Sequence, residues 1–422
     1  MWVLYELLFL LGLLLYLPKA IWRRRLPHRG WSMRLGRYPD RVTQALRGRR
    51  AIWIHAVSVG EVLAVQPLVR ALRQAAPADS LALSTITPTG FAVASKQAEA
   101  CTPVYFPLDV RGCVTRALDT LRPRLLLLME SELWPTVIRL TASRGVPVVI
   151  VNGRISPRAF RRYAFVAPWL RETLGCVTLF LMQSQADADR LLQLGAAPDK
   201  VRVTGSLKWD ASLGSRPSIE VIRETAARIG LNGQEEIVVA GSTHRGEEAA
   251  VLQAFRSAQA ARPHARLILA PRHLERLSEV EGLVRHAGLS SKRLSQAAAG
   301  GEWAVGLVDT MGQLPRYYGL ATVAFIGGSL IPHGGQNPLE AASIGKPVVF
   351  GPSMHNFESI THQLLAHHAA RQVADAGELT RALEELLADP VEAQAMGRRA
   401  HELTERFHGA TQRTLDALKP LL

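Results

Sequence analysis

The sequence predicts an α/β protein made of two doubly wound parallel sheets in tandem. Past residue 50, short apolar runs alternate with longer amphipathic ones. The runs are continuously apolar, as strands are when helices cover both faces of a parallel sheet. The alternation breaks at residues 206–220, SLKWDASLGSRPSIE, which are rich in Ser, Gly, Asp and Pro and lack periodicity, and then restarts.

Size agrees, since 422 residues exceed what one core usually supports. Strand candidates before the break are 51–57, 81–86, 103–106, 124–129, 147–151, 178–182 and 201–204; after it they are 236–241, 266–270, 304–308, 322–326 and 347–350. The expected organisation is an N-terminal segment at 1–25, a first domain at 26–205, a linker at 206–220, a second domain at 221–390 and amphipathic helices at 391–422. In such domains ligands bind beyond the carboxyl ends of the strands, so the active site is expected in a cleft between the halves.

Trp2 to Leu17 is apolar except for Glu6, and Lys19, Arg23, Arg24 and Arg25 follow. The basic cluster comes after the apolar run and no small-residue cleavage site follows, which argues against a cleaved signal peptide. The expectation is an uncleaved anchor with the globular part on the cytoplasmic side. Its run is short against the ~20 residues of a span, so a helix lying in the interface plane is the alternative. Residues 1–50 hold eleven Lys or Arg against Glu6 and Asp40, a net +9 of the chain's +14. Basicity this local suits anionic headgroups along residues 19–50, at about 1 kcal/mol per cation, better than the charged folded face of a nucleic-acid binder. Cys101, Cys113 and Cys176 form an odd set without C-x-x-C spacing, which suggests neither a disulfide framework nor a metal site.

Several stretches could carry chemistry. In HAVSVGEV (55–62), Ser58 and Glu61 have capping-box spacing at a strand-to-helix turn. LLLLMESELWP leaves Glu130 and Glu132 at a strand end, where they must face water, pair with a cation or work. Lys208 of GSLKWD lies in the linker. In GGSLIPHGGQNPLEAA, Asn337 reads as an N-cap, Pro338 as the first helical residue and Glu340 as its reciprocal partner, while glycines 327, 328, 334 and 335 allow a ligand to approach backbone amides. DTMGQL repeats the grammar with Thr310 as N-cap and Gln313 as partner, aiming the amides of Met311, Gly312 and Gln313 at an anion, to which Arg272 could add a charged contact. There is no G-x-G-x-x-G and no Walker lysine motif. His55, His244, His273 and His333 lack metal-site spacing and are read as structural or hydrogen-bonding.

Taken in order, HAVSVGE, TPTG, MESELWP, GSLKWD, GSTHRGEE, PRH, DTMGQL and GGSLIPHGGQNPLEAA resemble the motif series of bacterial 3-deoxy-D-manno-octulosonic acid (Kdo) transferases, glycosyltransferase family 30, from the N-terminus to about residue 360. The resemblance implies a GT-B fold and inverting transfer of Kdo from CMP-Kdo to the lipid A precursor, lipid IVA, in lipopolysaccharide core biosynthesis at the cytoplasmic face of the inner membrane. It implies that Glu61 is the general base and that Glu130 and Lys208 stabilise the transition state. Pro271 and Arg272, Met311, Gly312 and Gln313, and Asn337, Pro338, Leu339 and Glu340 would hold CMP. Gln313 stands where some relatives have Glu. No metal, other cofactor or nucleic acid is expected. The helix dipole, worth about 0.3 to 1 kcal/mol, is expected to keep Glu61 ionised. A GT-B transferase using a UDP-sugar and a lipid-linked acceptor is the alternative.

Overall fold

The computed structural model describes residues 2–22, 30–97, 99–214, 216–296 and 303–422. The chain forms two compact units, Met1–Ala211 with Gly409–Leu422, and Ser212–His408.

In the first unit the strands are β1 (Ala51–His55), β2 (Ser80–Thr85), β3 (Thr102–Tyr105), β4 (Pro123–Met129), β5 (Val148–Gly153), β6 (Leu179–Met182) and β7 (Val201–Val203). They make one parallel sheet in the order β3-β2-β1-β4-β5-β6-β7. Every residue of β1 is buried, which explains its unbroken apolar run. Ile52 and Ile54 pack with Val62, Val65, Leu68 and Leu72 of helix Val59–Ala75 on one face. Ala51 and Trp53 join Val114, Leu118 and Val137 on the other. The order reverses between β1 and β4, so the crevice at their carboxyl ends is where a doubly wound sheet takes its ligand.

The segment expected as a linker holds helix Leu207–Leu213. Leu207 and Trp209 are buried there, and the Asp210 carboxylate accepts hydrogen bonds from the amides of Gly409 (2.9 Å) and Thr411 (2.6 Å). Past helix Pro390–Phe407 the chain returns to the first unit, where Ala410, Leu415 and Leu418 of helix Ala410–Leu418 enter the core beside helix Val59–Ala75.

The N-terminal stretch is a helix, Trp2–Trp22. Among the described residues no helix is long and apolar enough to cross a membrane. This corrects the reading of a single-pass anchor, and Glu6 gives a physical reason. Its carboxylate accepts the Arg111 amide (2.7 Å) at the start of helix Arg111–Leu121, while the Tyr5 hydroxyl donates to Asp109 (2.7 Å). The helix is thereby tied along the folded unit with Leu7, Leu8, Leu11, Leu14 and Leu15 exposed. Of the basic collar, Arg23, Arg24, Arg25 and Arg29 lie outside the described residues.

The second unit contains β8 (Ile237–Thr243), β9 (Arg266–Pro271), β10 (Ser291–Arg293), β11 (Val305–Leu307), β12 (Val323–Ile326), β13 (Val348–Phe350) and β14 (Ala370–Gln372). They form a parallel sheet in the order β10-β11-β9-β8-β12-β13-β14, reversing between β8 and β12. β10 and β14, at its two edges, are absent from the sequence expectation.

Candidate active site

In the first unit, β1 ends one turn before helix Val59–Ala75, whose N-cap is Ser58. The capping box forms. The Glu61 carboxylate accepts from the Val57 amide (2.9 Å) and the Ser58 hydroxyl (3.0 Å), which aims it back over the strand end. The neighbouring TPTG turn packs so closely that a Cβ on Gly90 would stand 2.5 Å from the Thr85 hydroxyl. From β4, across the reversal point, come Glu130 and Glu132. Glu130 is held in the left-handed region at φ 57°, strain of the kind that persists at working sites.

Lys208 reaches the same place from a third element. Asn152, buried at the end of β5 with φ 55°, accepts the Leu207 amide (2.9 Å) and fixes the start of helix Leu207–Leu213. The Lys208 ammonium then lies 2.8 Å from the Glu130 carboxylate. Glu61, Glu130, Glu132 and Lys208 therefore converge, three acids and one base. The segment that supplies Lys208, read from sequence as a linker beside the cleft, is a helix that sets the ammonium against Glu130.

The electrostatics reverse the sequence expectation for Glu61. Burial, and then the negative charge of Glu130, push its carboxyl up to about 8, against the hydrogen bonds from Val57 and Ser58. Burial likewise pushes Glu132 up to about 7. A helix terminus worth up to about 1 kcal/mol cannot offset desolvation plus a like charge, so Glu61 holds a proton at neutral pH and releases it just above. A carboxylate poised near the working pH is what general-base catalysis favours. His55, below this site, is structural. It is buried against Phe106 with ring centroids 3.6 Å apart and accepts no proton readily, being held down to about 3 by desolvation.

In the second unit the expected nucleotide residues lie at the carboxyl end of the sheet. Pro271 ends β9, and the Arg272 amide donates to the Thr243 carbonyl of β8 (2.9 Å). The helix read as starting at Pro338 with Asn337 as N-cap starts one residue later, at Leu339, with Pro338 in the cap position; the Asn337 side chain still accepts the Leu339 amide (3.1 Å) ahead of the short helix Leu339–Ala342. Burial pushes the Glu340 carboxyl up to about 7, while the Arg272 guanidinium and the Asn337 side chain pull it down, so Arg272 and Glu340 are electrostatic neighbours.

Two readings need correction here. Thr310 does not cap a helix. Helix Leu314–Tyr318 starts three residues later than read, with Gln313 at its N-cap, because Gly312 takes φ 77° and Pro315 sets the first turn. Met311, Gly312 and Gln313 thus form a turn after β11, with Met311 63% exposed. Nor do the four glycines leave free amides for a ligand. A Cβ on Gly327 would sit 2.4 Å from the Ser242 carbonyl, and one on Gly335 2.1 Å from the Met354 sulfur. The loop is packed against itself around a residue that sequence reasoning passed over, Glu247. Fully buried, it accepts the amides of His244 (3.0 Å), Gly328 (2.6 Å), Ser329 (2.9 Å) and Leu330 (3.0 Å). The two adjacent acids of GSTHRGEE were the available signal.

Three histidines that are distant in sequence meet beside that loop. The His244 ring lies 4.0 Å from His333 and 5.7 Å from His273, and the Gln336 side chain approaches its Nε2 at 3.1 Å. Burial and the surrounding cationic groups hold His244 down to about 4, so it is neutral. Among the described residues no cluster of His, Cys, Asp or Glu is arranged to hold a metal ion.

Residues 29–211 match the family profile described as 3-deoxy-D-manno-octulosonic-acid transferase (kdotransferase). A 3-deoxy-D-manno-octulosonic acid transferase of Haemophilus influenzae is 36% identical over 377 residues, 88% of this chain and 87% of that one. One from Bordetella pertussis is 36% identical over 419 residues, 95% of each. Among solved structures, a putative UDP-N-acetylglucosamine 2-epimerase from Listeria monocytogenes superposes with TM-score 0.59 over 88% of this chain and 96% of that one at 14% identity, a likeness of fold. With the motif order carried by two doubly wound units, and with identity of this extent, the chain belongs to the 3-deoxy-D-manno-octulosonic acid transferase family of glycosyltransferases.

Proposed function

We propose that this transferase moves Kdo from CMP-Kdo to a sugar hydroxyl of the lipid A precursor, with Glu61 as general base. The observation that carries the reading is the convergence of Glu61, Glu130 and Lys208 at the reversal point of the first sheet, with the Glu61 carboxyl poised at about 8. Ionised Glu61 takes the proton of the acceptor hydroxyl as its oxygen bonds to the anomeric carbon of Kdo. The bond from that carbon to the phosphate oxygen breaks, and CMP leaves with the electron pair.

The ion pair with Glu130 gives Lys208 a role beside Glu61: its positive charge makes ionisation of the base less costly. In the second unit Pro271, Arg272, the turn Met311–Gln313 and the segment Asn337–Glu340 would hold the cytidylate, with Arg272 supplying positive charge and Glu340 suited to ribose hydroxyls. A monophosphate leaving group can be stabilised by such fixed charges and dipoles, so transfer is expected to need no metal. The exposed leucine stripe of helix Trp2–Trp22 supports an interfacial helix at the cytoplasmic face of the inner membrane, with residues 19–50 near anionic headgroups.

The test has two parts. CMP should raise the thermal midpoint of the chain and UDP should not, as mass action requires of a ligand that binds the folded state. Glu61→Ala should keep the CMP shift but lose transfer to a tetraacylated lipid A precursor by about 10² to 10⁴-fold. Near-parental turnover by that variant refutes the assignment of the base, and stabilisation by UDP alone refutes the donor.

A further inference from the structure

Helices Pro157–Phe165 and Ala167–Gly175 form a hairpin after β5 that turns apolar side chains outward. Phe165 is 90% exposed, Trp169 44% and Val166 39%. Their support is firm. Leu170 and Leu174 enter the first unit's core, and Phe160 and Tyr163 pack against it. Aromatic side chains displayed on a fixed scaffold call for a partner.

The surrounding charge says which kind. Residues 154–172 carry Arg154, Arg158, Arg161, Arg162 and Arg171 against Glu172 alone. Arg158 and Arg162, one helical turn apart, line a recess of about 370 Å³ with Ser156, Ala159 and Tyr163. A protein interface usually rims its apolar centre with mixed charge. Aromatic residues bordered by arginines are instead the pattern that settles at a bilayer surface, with rings at headgroup depth and guanidinium groups on phosphates.

Position strengthens the argument. The Tyr163 hydroxyl donates to the Ser131 carbonyl (3.4 Å), between Glu130 and Glu132, so the hairpin borders the carboxylate site. Helix Pro135–Ser143, on which the hairpin packs, begins at amides of Thr136 (3.1 Å) and Val137 (2.8 Å) bonded to Asp109, the same residue that receives Tyr5 of the N-terminal helix. Asp109 thus links the N-terminal helix to the start of the helix on which the hairpin packs.

We propose that this hairpin is a second membrane-docking element: Phe165, Val166 and Trp169 enter the headgroup boundary of an anionic bilayer, while Arg158, Arg161 and Arg162 bind its phosphates. The proposal rests on the lipid-acceptor reading and adds how a bilayer-borne hydroxyl is brought to the carboxylate site.

The experiment sediments the full chain with acceptor-free phosphatidylcholine vesicles, with and without phosphatidylglycerol. It compares the parent with Phe165→Ser/Trp169→Ser and with Arg158→Glu/Arg162→Glu. The serine pair should bind anionic vesicles about tenfold more weakly, and the glutamate pair should lose the preference for anionic over neutral vesicles. Both should transfer normally to a deacylated, water-soluble acceptor. Parental partition by both variants overturns the proposal. So does a parent that binds native membranes but not pure lipid, which would assign the patch to a protein receptor. Because the vesicles contain neither donor nor acceptor, failure of the catalytic reading leaves the partition result standing, and failure of docking leaves soluble transfer intact.

Discussion

Replacing Glu61 by Gln should stabilise the protein in mild alkali while abolishing transfer. In the unfolded chain this carboxyl ionises near 4.5; in the folded protein it is pushed up to about 8. Between those values the native state holds a proton that the unfolded chain has released. The group's contribution to stability is therefore full below pH 4.5 and is lost as pH climbs through 8. At about 1.4 kcal/mol per pH unit of displacement, the ceiling is about 5 kcal/mol. The real gain is smaller. Glu130 and Glu132 share the repulsion, and glutamine keeps only one of the two acceptor oxygens bonded to Val57 and Ser58, which gives back about 1 kcal/mol. We expect about 1 to 2 kcal/mol net at pH 9, or about 2 to 8 °C in thermal midpoint for a unit of this size. Calorimetry of parent and variant from pH 5 to pH 9 reads it directly. The curves should coincide at the acid end and separate as pH rises. A variant less stable at pH 9 than the parent would refute the account of Glu61 as a buried, proton-holding acid.

Two further changes follow from the same geometry. Lys208→Met removes the cation 2.8 Å from Glu130, so the acid limb of the kcat/KM profile, expected near pH 8 for the parent, should move up by about one pH unit; an unmoved limb would separate Lys208 from the base. Glu247→Ala leaves buried amides at residues 244, 328, 329 and 330 without their acceptor. At about 1 to 3 kcal/mol for each unsatisfied group, it should unfold the second unit at far lower urea than the parent, with Glu247→Gln intermediate; a parental urea midpoint would show that the loop has other support.

Much of the fold was legible because strands covered on both faces carry continuous apolar runs, as Ala51–Ile54 of β1 and Leu125–Met129 of β4 do. The edge strands Ser291–Arg293 and Ala370–Gln372 were not, since an edge can be short and polar, and these read as loop. The capping box of Ser58 and Glu61 was visible because it depends on neighbours three residues apart, whereas the box read at Asn337 does not form, the short helix starting one residue later at Leu339. What spacing could not show was the company these residues keep. Glu61 is pushed up to about 8 by burial and then by Glu130, which arrives from β4 about seventy positions later, and Glu247 is matched to amides more than eighty residues away. For Thr310 the same local grammar misled, because Gly312 takes a backbone conformation that no helix continues.

The return of the chain at Gly409 bears on biosynthesis. The second unit is an insertion within the first, and Asp210 pins the outgoing and homecoming strands of the polypeptide together. A nascent chain emerging from the ribosome has made all seven strands of its first sheet some two hundred residues before Ala410, Leu415 and Leu418 arrive to close that sheet's interior. The inserted lobe can mature while its host waits. Loss of the last dozen residues should therefore wound the amino-terminal half, the part made earliest.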